Sequence, residues 1–480
     1  MAVWDAVPMT RGIMATVRGG APLTLGTAPI GKLLAQYAIP AIIAMIAASI
    51  YNITDSIFIG HGVGHLALSG LAITFPIMNL IAAFGALVGV GGAALLSLRL
   101  GQKDYSAANY ILGNVITLNI VLAVCLTVPI LIFLKPLLMF FGASETILPY
   151  AYDFMVIIMS GNIIMQMFMG LNSLMRASGH PRESMYATII TVGMNLILNP
   201  LFIFGFHWGI RGSASATVIS QFTVLAWQFY FFANKNNFIH FHRGIYKLKA
   251  SVVEGIFSIG LAPFLLNSAA CVVVILINKQ LSFHGGDLAI GAYGIINRTV
   301  TLFVMIIFGI NQGMQPIAGY NYGAKLYGRV SEVLKKAMFF AVCVMTTGFV
   351  IVQLFPHSVA SLFTTDAELV NIAATGLRIV FLCVSFAAVQ IVASSFFQSI
   401  GKAYVSIVLS VTRQVLFLIP LILILPHYLG VNGVFGSMPI ADFISFILCV
   451  LLIRMQLKKM KTMASLTQPA APPTEANNVC

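Results

Sequence analysis

Apolar residues run along this chain in stretches of about 20 residues or more, interrupted by short breaks that collect Gly, Pro, Lys and Arg. Runs of that length point to membrane-spanning helices, because barrel strands alternate apolar and polar positions over much shorter segments. Counting them gives twelve spans, near 33–59, 67–97, 107–134, 150–174, 184–206, 213–233, 254–280, 288–318, 332–356, 370–397, 403–425 and 432–454. The breaks carry a second pattern, an internal repeat offset by about 222 residues. Leu100-Gly101-Gln102-Lys103-Asp104-Tyr105 matches Tyr322-Gly323-Ala324-Lys325-Leu326-Tyr327, and Phe141 falls on Phe363 and Gly179 on Gly401. Pro40 corresponds to Pro263, and Gly209-Ile210-Arg211-Gly212 to Gly430-Val431-Asn432-Gly433, each within one residue of the same offset.

The chain therefore divides into residues 1–29, an N-terminal cytoplasmic extension; 30–233, a six-helix lobe; 234–250, a basic cytoplasmic linker; 251–460, a second six-helix lobe; and 461–480, a disordered cytoplasmic tail. Six is even, so both lobes enter the membrane from the same side. That is the parallel-repeat arrangement of secondary transporters in which two bundles rock about a central site. The fold class expected is an all-α polytopic membrane protein of twelve helices in two lobes.

Composition agrees: 59% of the 480 residues are hydrophobic and 8% charged, against about a quarter charged in soluble domains. The net charge of +13 does not indicate nucleic acid, because the basic residues are scattered through short connections. With the N-terminus inside, 20 of the 26 Lys and Arg fall on the cytoplasmic side and only Lys135, Arg211 and Lys279 outside, so both termini are expected in the cytoplasm. Of the six cysteines, five lie in apolar runs and Cys480 ends the tail, with no disulfide or zinc spacing. Residues 1–29 have no continuous apolar core and read as an extension, not a cleaved signal. No nucleotide-binding G-x-x-x-x-G-K-[ST] motif is present, so energy for transport has to come from an ion gradient. Neither an enzyme nor a bound cofactor is expected.

The candidate chemistry starts at Asp55, in Tyr51-Asn52-Ile53-Thr54-Asp55, a carboxylate inside the first span. An acid at the centre of a membrane helix costs about 2.5–3.5 kcal/mol on insertion scales, so such residues face a protein interior or wet cavity and handle protons or ions. Asn195 and Asn199 lie one turn apart on the fifth span, and Thr217 near the start of the sixth. Their oxygens suit either a hard cation or a protonated carboxyl beside Asp55, or serve as interhelical glue. On the fourth span Met155, Met159, Asn162, Gln166, Met169 and Ser173 recur at spacings of four and three. This stripe suits an adaptable drug cavity, with Met159, Asn162, Gln166 and Met169 as binding candidates, and equally suits packing. Asp442 on the twelfth span is placed to neutralise Arg298 or Arg413 as a structural pair.

Four stretches resemble the multidrug and toxic compound extrusion (MATE) family, and within it the DinF-like branch and its MepA-like members. They are Tyr51-Asn52-Ile53-Thr54-Asp55-Ser56-Ile57-Phe58-Ile59-Gly60; Arg176-Ala177-Ser178-Gly179-His180-Pro181-Arg182; Asn199-Pro200-Leu201-Phe202-Ile203-Phe204-Gly205; and Gly313-Met314-Gln315-Pro316-Ile317-Ala318-Gly319-Tyr320-Asn321-Tyr322-Gly323-Ala324. The resemblance extends from Pro29 to about Lys461. It implies a V-shaped, monomeric exporter in the bacterial cytoplasmic (inner) membrane, exchanging H+ or Na+ for amphipathic, often cationic drugs. It also implies an ion-coupling site at Asp55, Asn195, Asn199 and Thr217, and a first-helix proline, Pro40, that bends during the cycle. The sequence departs from the family pattern at Asn199, where relatives often have Asp; one carboxylate instead of two favours H+ over Na+. The alternatives are a lipid-linked oligosaccharide flippase of the same superfamily, which would need several cavity cations for phosphates, and a channel or non-transporting scaffold, which leaves Asp55 unexplained.

Overall fold

The computed structural model describes residues 24–467, and all its regular structure is helical. Calling the spans α1 to α12 in order, α1 is Ile30–Gly62, α2 His65–Gly101 and α3 Tyr105–Ile132. Next, α4 is the pair Leu148–Ser160 and Asn162–Ala177, α5 is Pro181–Gly205 and α6 Gly209–Ala233. The continuous helix Ala250–Gly323 is broken at Gly286 into α7 (250–285) and α8 (287–323). Then α9 is Tyr327–Leu354, and α10 the pair Ala367–Phe381 and Val384–Ser399. The stretch from Ala403 onward is broken at Gly430 into α11 (403–429) and α12 (431–467). Twelve spans result among the described residues, six per lobe.

The repeat seen in sequence is written into the backbone. Positive φ occurs at Gly64 and Gly286, at Lys103 and Lys325 (both 60°), at Gly179 and Gly401, and at Gly209 and Gly430. Each pair lies at the repeat offset and marks the same turn in each lobe. The Gly64–Gly286 pair, which opens α2 and α8, adds a turn that the sequence motifs had not supplied. The bent helices correspond too: α4 kinks by 55° and α10 by 54°.

The backbones of the two lobes approach most closely at glycines. A Cβ on Gly260 of α7 would lie 1.8 Å from the Leu87 carbonyl of α2, and one on Gly101 of α2 would lie 2.0 Å from the Tyr320 carbonyl of α8. Gly309 and Gly313 of α8 lie against Ile42 and Ala38 of α1 in the same way. Small-residue approach of this kind is how helices associate in lipid, where no hydrophobic force acts between them. All these contacts lie in the half of the molecule that carries the two termini. Pro40 is buried in α1, which runs through it without interruption, although the carbonyl of Gln36 loses its helical donor there.

Two boundaries expected from sequence shift. The extension placed at 1–29 lies outside the described residues up to 23, but Thr24–Thr27 forms a helical turn with Leu25 fully buried. Asn321 Nδ2 and Arg329 Nη2 donate to the Leu25 carbonyl at 2.9 and 3.1 Å, and Arg329 also holds the Ala28 carbonyl at 2.6 Å. That segment belongs to the folded body because a half-buried guanidinium and a buried amide satisfy its backbone. At the other end α12 continues to Thr467, so the tail expected to be disordered from 461 begins as helix, and the remainder lies outside the described residues. The linker 234–250 is non-helical up to Lys249 and is pinned to α3 by buried Asn114, which donates to the carbonyls of Ile245 and Lys247 and accepts from Lys249 N.

Candidate functional site

The N-terminal lobe closes around Asp55. Tyr51 and Asp55 sit one turn apart on α1, Asn195 and Asn199 one turn apart on α5, and Ser213 and Thr217 one turn apart on α6, so three helices each present a pair of polar groups. Asn199 Nδ2 and Ser213 Oγ both donate to Asp55 Oδ1, the latter at 2.6 Å. Asn195 Nδ2 donates to Thr217 Oγ1 at 3.2 Å, Asn199 Nδ2 also reaches Asn195 Oδ1 at 3.5 Å, and Tyr51 shares a 2.9 Å bond with Thr217 Oγ1. Asp55 is 8% exposed and Asn195, Asn199, Ser213 and Thr217 are buried. Asp55 takes part in none of the ion pairs among the described residues, and the donors that hold its carboxylate are neutral.

The four residues picked from sequence, Asp55, Asn195, Asn199 and Thr217, are brought together. Ser213 and Tyr51 join them, and the signal for both is in the sequence: each stands four residues before one of the four, at the spacing that places side chains on one helical face. Asn199 Oδ1 is a buried acceptor with no partner. That orphaned oxygen beside a carboxylate fits a proton carried on Asp55, which would donate to it. It also fits a small hard cation, for which the cluster supplies only oxygen ligands.

A second feature, a cavity of about 670 Å³, lies between the lobes. Met45, Met169, Ser173 and Arg176 line it from the N-terminal lobe, and Asn267, Asn297, Gln312 and Gln315 are among the residues facing them. Asp55 is not part of its wall. Of the four binding candidates on α4, only Met169 reaches it. Met159, Asn162 and Gln166 are instead packed inside the N-terminal lobe, 0–2% exposed. Asn162 Nδ2 donates to Thr127 Oγ1 of α3 at 3.1 Å, and Gln166 Nε2 to the Ile81 carbonyl of α2 at 2.9 Å, where bare Gly85 makes room for its side chain. The physical reason is position along one helix: in the segment Asn162–Ala177 the stripe keeps one face, but that face is covered by α3 and α2 at Asn162 and Gln166 and borders the cavity only from Met169 onward.

Asp442 pairs with Arg413, whose Nε donates to Oδ1 at 2.6 Å, while Arg298 is exposed. The pair lines the cavity between the lobes. Arg176 belongs by sequence to the turn after α4, and the structure places it in the cavity wall.

A family model described as MatE matches the chain twice, over residues 40–201 and 259–424. Multidrug export protein MepA of Staphylococcus haemolyticus (strain JCSC1435) is 29% identical over 427 residues, covering 88% of this chain and 93% of that protein. The protein of the same name from Staphylococcus aureus (strain MSSA476) is 26% identical over 425 residues, covering 88% and 94%. Among solved structures, the MATE multidrug transporter DinF-BH superposes with a TM-score of 0.83 at 36% identity, covering 90% of this chain and 96% of that one. A multidrug resistance MATE family transporter of the MOP superfamily, in an outward-facing conformation, superposes with a TM-score of 0.86 at 23% identity, covering 92% and 98%, a likeness of fold. One family match falls in each lobe, at the spacing of the repeated turns, and this chain is therefore a multi-pass membrane protein of the MATE transporter family.

Proposed function

We propose that the protein is a secondary active exporter that exchanges H+ for amphipathic drugs, organic cations among them, by alternating access across a bacterial cytoplasmic membrane. The observation that carries this reading is Asp55, a single carboxylate enclosed by neutral donors within one lobe and separated from the cavity between the lobes. A carboxylate that gains and loses a proton changes the charge of that lobe's interior. A proton taken up on one side and released on the other gains about 2.3 kcal/mol per 100 mV of membrane potential, work that can bias two arrangements of the lobes.

The N-terminal lobe acts as the coupling lobe: Asp55 carries the proton, Asn199 and Ser213 hold its ionised form, and Asn195, Thr217 and Tyr51 keep those helices in register. When Asp55 is protonated its hydroxyl donates to the orphaned Asn199 Oδ1, so both states are hydrogen-bonded. Pro40 is the position where α1 bends, since its neighbours Ala38 and Ile42 contact α8 and the helix lacks one bond there. With both termini cytoplasmic, the glycine contacts close the cytoplasmic half, and the arrangement is outward-facing. Met169 and Ser173 then contact the drug in the cavity, while Met159, Asn162 and Gln166 brace the lobe behind them.

The name shared by the staphylococcal relatives, multidrug export protein, supports drugs as the cargo. The flippase alternative needs several uncompensated cations in the cavity, and Arg413 there is already neutralised by Asp442. The test is uptake of a fluorescent cationic drug into everted vesicles or proteoliposomes: accumulation driven by an imposed pH gradient without Na+ supports the reading. Drug movement that only equilibrates across the membrane under the same gradient overturns it in favour of a channel.

A further inference from the structure

The cavity between the lobes is lined by three charged side chains, Arg176, Arg413 and Asp442. Arg413 and Asp442 form a closed pair, so one positive charge remains. No ion pair to Arg176 occurs among the described residues. Its Nη1 donates to Ser184 Oγ at 3.0 Å and its Nη2 to Ser173 Oγ at 3.3 Å, and Ser184 in turn donates to Asn172 Oδ1 at 2.5 Å. These partners are neutral hydroxyls. They fix the guanidinium in place without compensating its charge, and they use two of its five N–H donors.

The repeat shows that the architecture of this wall does not need a cation. The position 222 residues after Arg176 is Gln398, and the position 222 after Ser173 is Ser395; both line the same cavity from α10. The kink in α10 and the positive-φ turn at Gly401 reproduce those of α4 and Gly179, with an amide in place of the guanidinium. The same bent helix and the same turn therefore form with a neutral residue, and the charge at 176 is an addition on one side of the cavity.

We propose that Arg176 recognises an acidic group on the exported molecule, so that amphipathic zwitterions and acids bearing a carboxylate belong to the substrate class of this cavity. This rests on the reading of the cavity as the drug path. A carboxylate docked on Arg176 forms charge-assisted hydrogen bonds with the remaining N–H donors, in a site already organised by Ser173 and Ser184. A permanent cation with no acidic group gains nothing from Arg176 and is repelled when it approaches.

The experiment uses the full-length protein in nanodiscs and two xanthene dyes with one ring system, one carrying a free carboxylate and the other its ethyl ester. Binding is followed by fluorescence anisotropy for wild type, Arg176→Gln and Arg176→Lys. The expected result is about tenfold weaker binding of the acid dye to the Gln variant, with the ester changed less than about twofold and much of the acid binding retained by the Lys variant. Equal weakening of both dyes, or unchanged acid binding in the Gln variant, overturns the proposal. Should the Gln variant fail to fold, the wild type decides alone: tighter binding of the ester than of the acid overturns it. Binding of neither dye by wild type overturns the drug-path reading itself, a result distinct from ester binding without preference for the acid.

Discussion

Asn199 and Asp55 are 144 residues apart in the chain and joined by a hydrogen bond from Nδ2 to Oδ1 inside the N-terminal lobe. That bond ties α5 to α1, and Ser213 makes the equivalent tie from α6 to the same oxygen. A charge change at Asp55 is therefore felt by three helices at once. Asp55→Asn is expected to reduce gradient-driven export at least about tenfold with normal protein in the membrane, because an amide cannot cycle its charge. Ser213→Ala removes one of two donors, a net loss of about 1 kcal/mol, and is expected to leave partial export. Wild-type rates from the Asn variant in proteoliposomes would exclude Asp55 as the coupling group.

The identity of the ion turns on Asn199. With one carboxylate, a pH gradient alone should drive drug uptake into everted vesicles. Asn199→Asp supplies a second anionic oxygen ligand and should introduce stimulation by Na+. Strict Na+ dependence of the wild type would reverse the assignment.

Two positions one turn apart on the second segment of α4 should respond differently to truncation. Gln166→Ala removes the hydrogen bond that ties α4 to the Ile81 carbonyl of α2, a net loss of about 1 kcal/mol, and should lower thermal stability and the export of all drugs alike. Met169→Ala should leave stability nearly unchanged and alter the order in which drugs are exported, since each uses a different subset of weak contacts. Resistance profiles for a panel of distinct drugs, normalised to protein level, separate the two outcomes.

At the lobe contact, Gly260 faces the Leu87 carbonyl with no room for a methyl group. Gly260→Val should separate α7 from α2, open the half that carries the termini and reduce transport of every substrate several-fold, as overpacking of about 1–3 kcal/mol against a rigid carbonyl requires. Labelling of a cysteine placed at Ile256 should become faster in that variant than in the parent; unchanged labelling would show that the contact does not hold the closed half together.

His180 sits in the turn between α4 and α5, packed on Phe231 with ring centroids 4.9 Å apart. Burial pushes its pKa below the ordinary imidazole value, while Glu183 and the Ser178 backbone act in the opposite direction. The folded protein thus favours neutral His180. Stability from this group is present above the unfolded pKa of about 6.5 and is lost as pH falls below it toward the folded value, at no more than about 1.4 kcal/mol per pH unit. His180→Gln should flatten the decline in melting temperature between about pH 7 and pH 5. An unchanged slope would place the acid sensitivity elsewhere.

Local patterns in the sequence determine a large part of this protein. Apolar run length sets the twelve spans, because lipid forces each crossing to satisfy its own backbone. The repeat is legible because turns needing positive φ constrain residue type, as Gly179 with Gly401 and Gly209 with Gly430 demonstrate. Asp55 stands out because a carboxylate is costly in an apolar span, and Asn195, Asn199 and Thr217 are neighbours of the kind it needs.

Only the tertiary structure decides which faces meet. The α4 stripe reads as one surface in sequence; in the structure its face meets α3 and α2 at Asn162 and Gln166 and opens on the cavity only at Met169 and Ser173, further along the same segment. The partners of Ser213 and of the Leu25 carbonyl lie on helices remote in sequence, as does the cavity wall that Arg176 joins. Helical periodicity fixes the direction of a side chain relative to its own axis, but the neighbour it meets depends on how twelve axes are bent and packed.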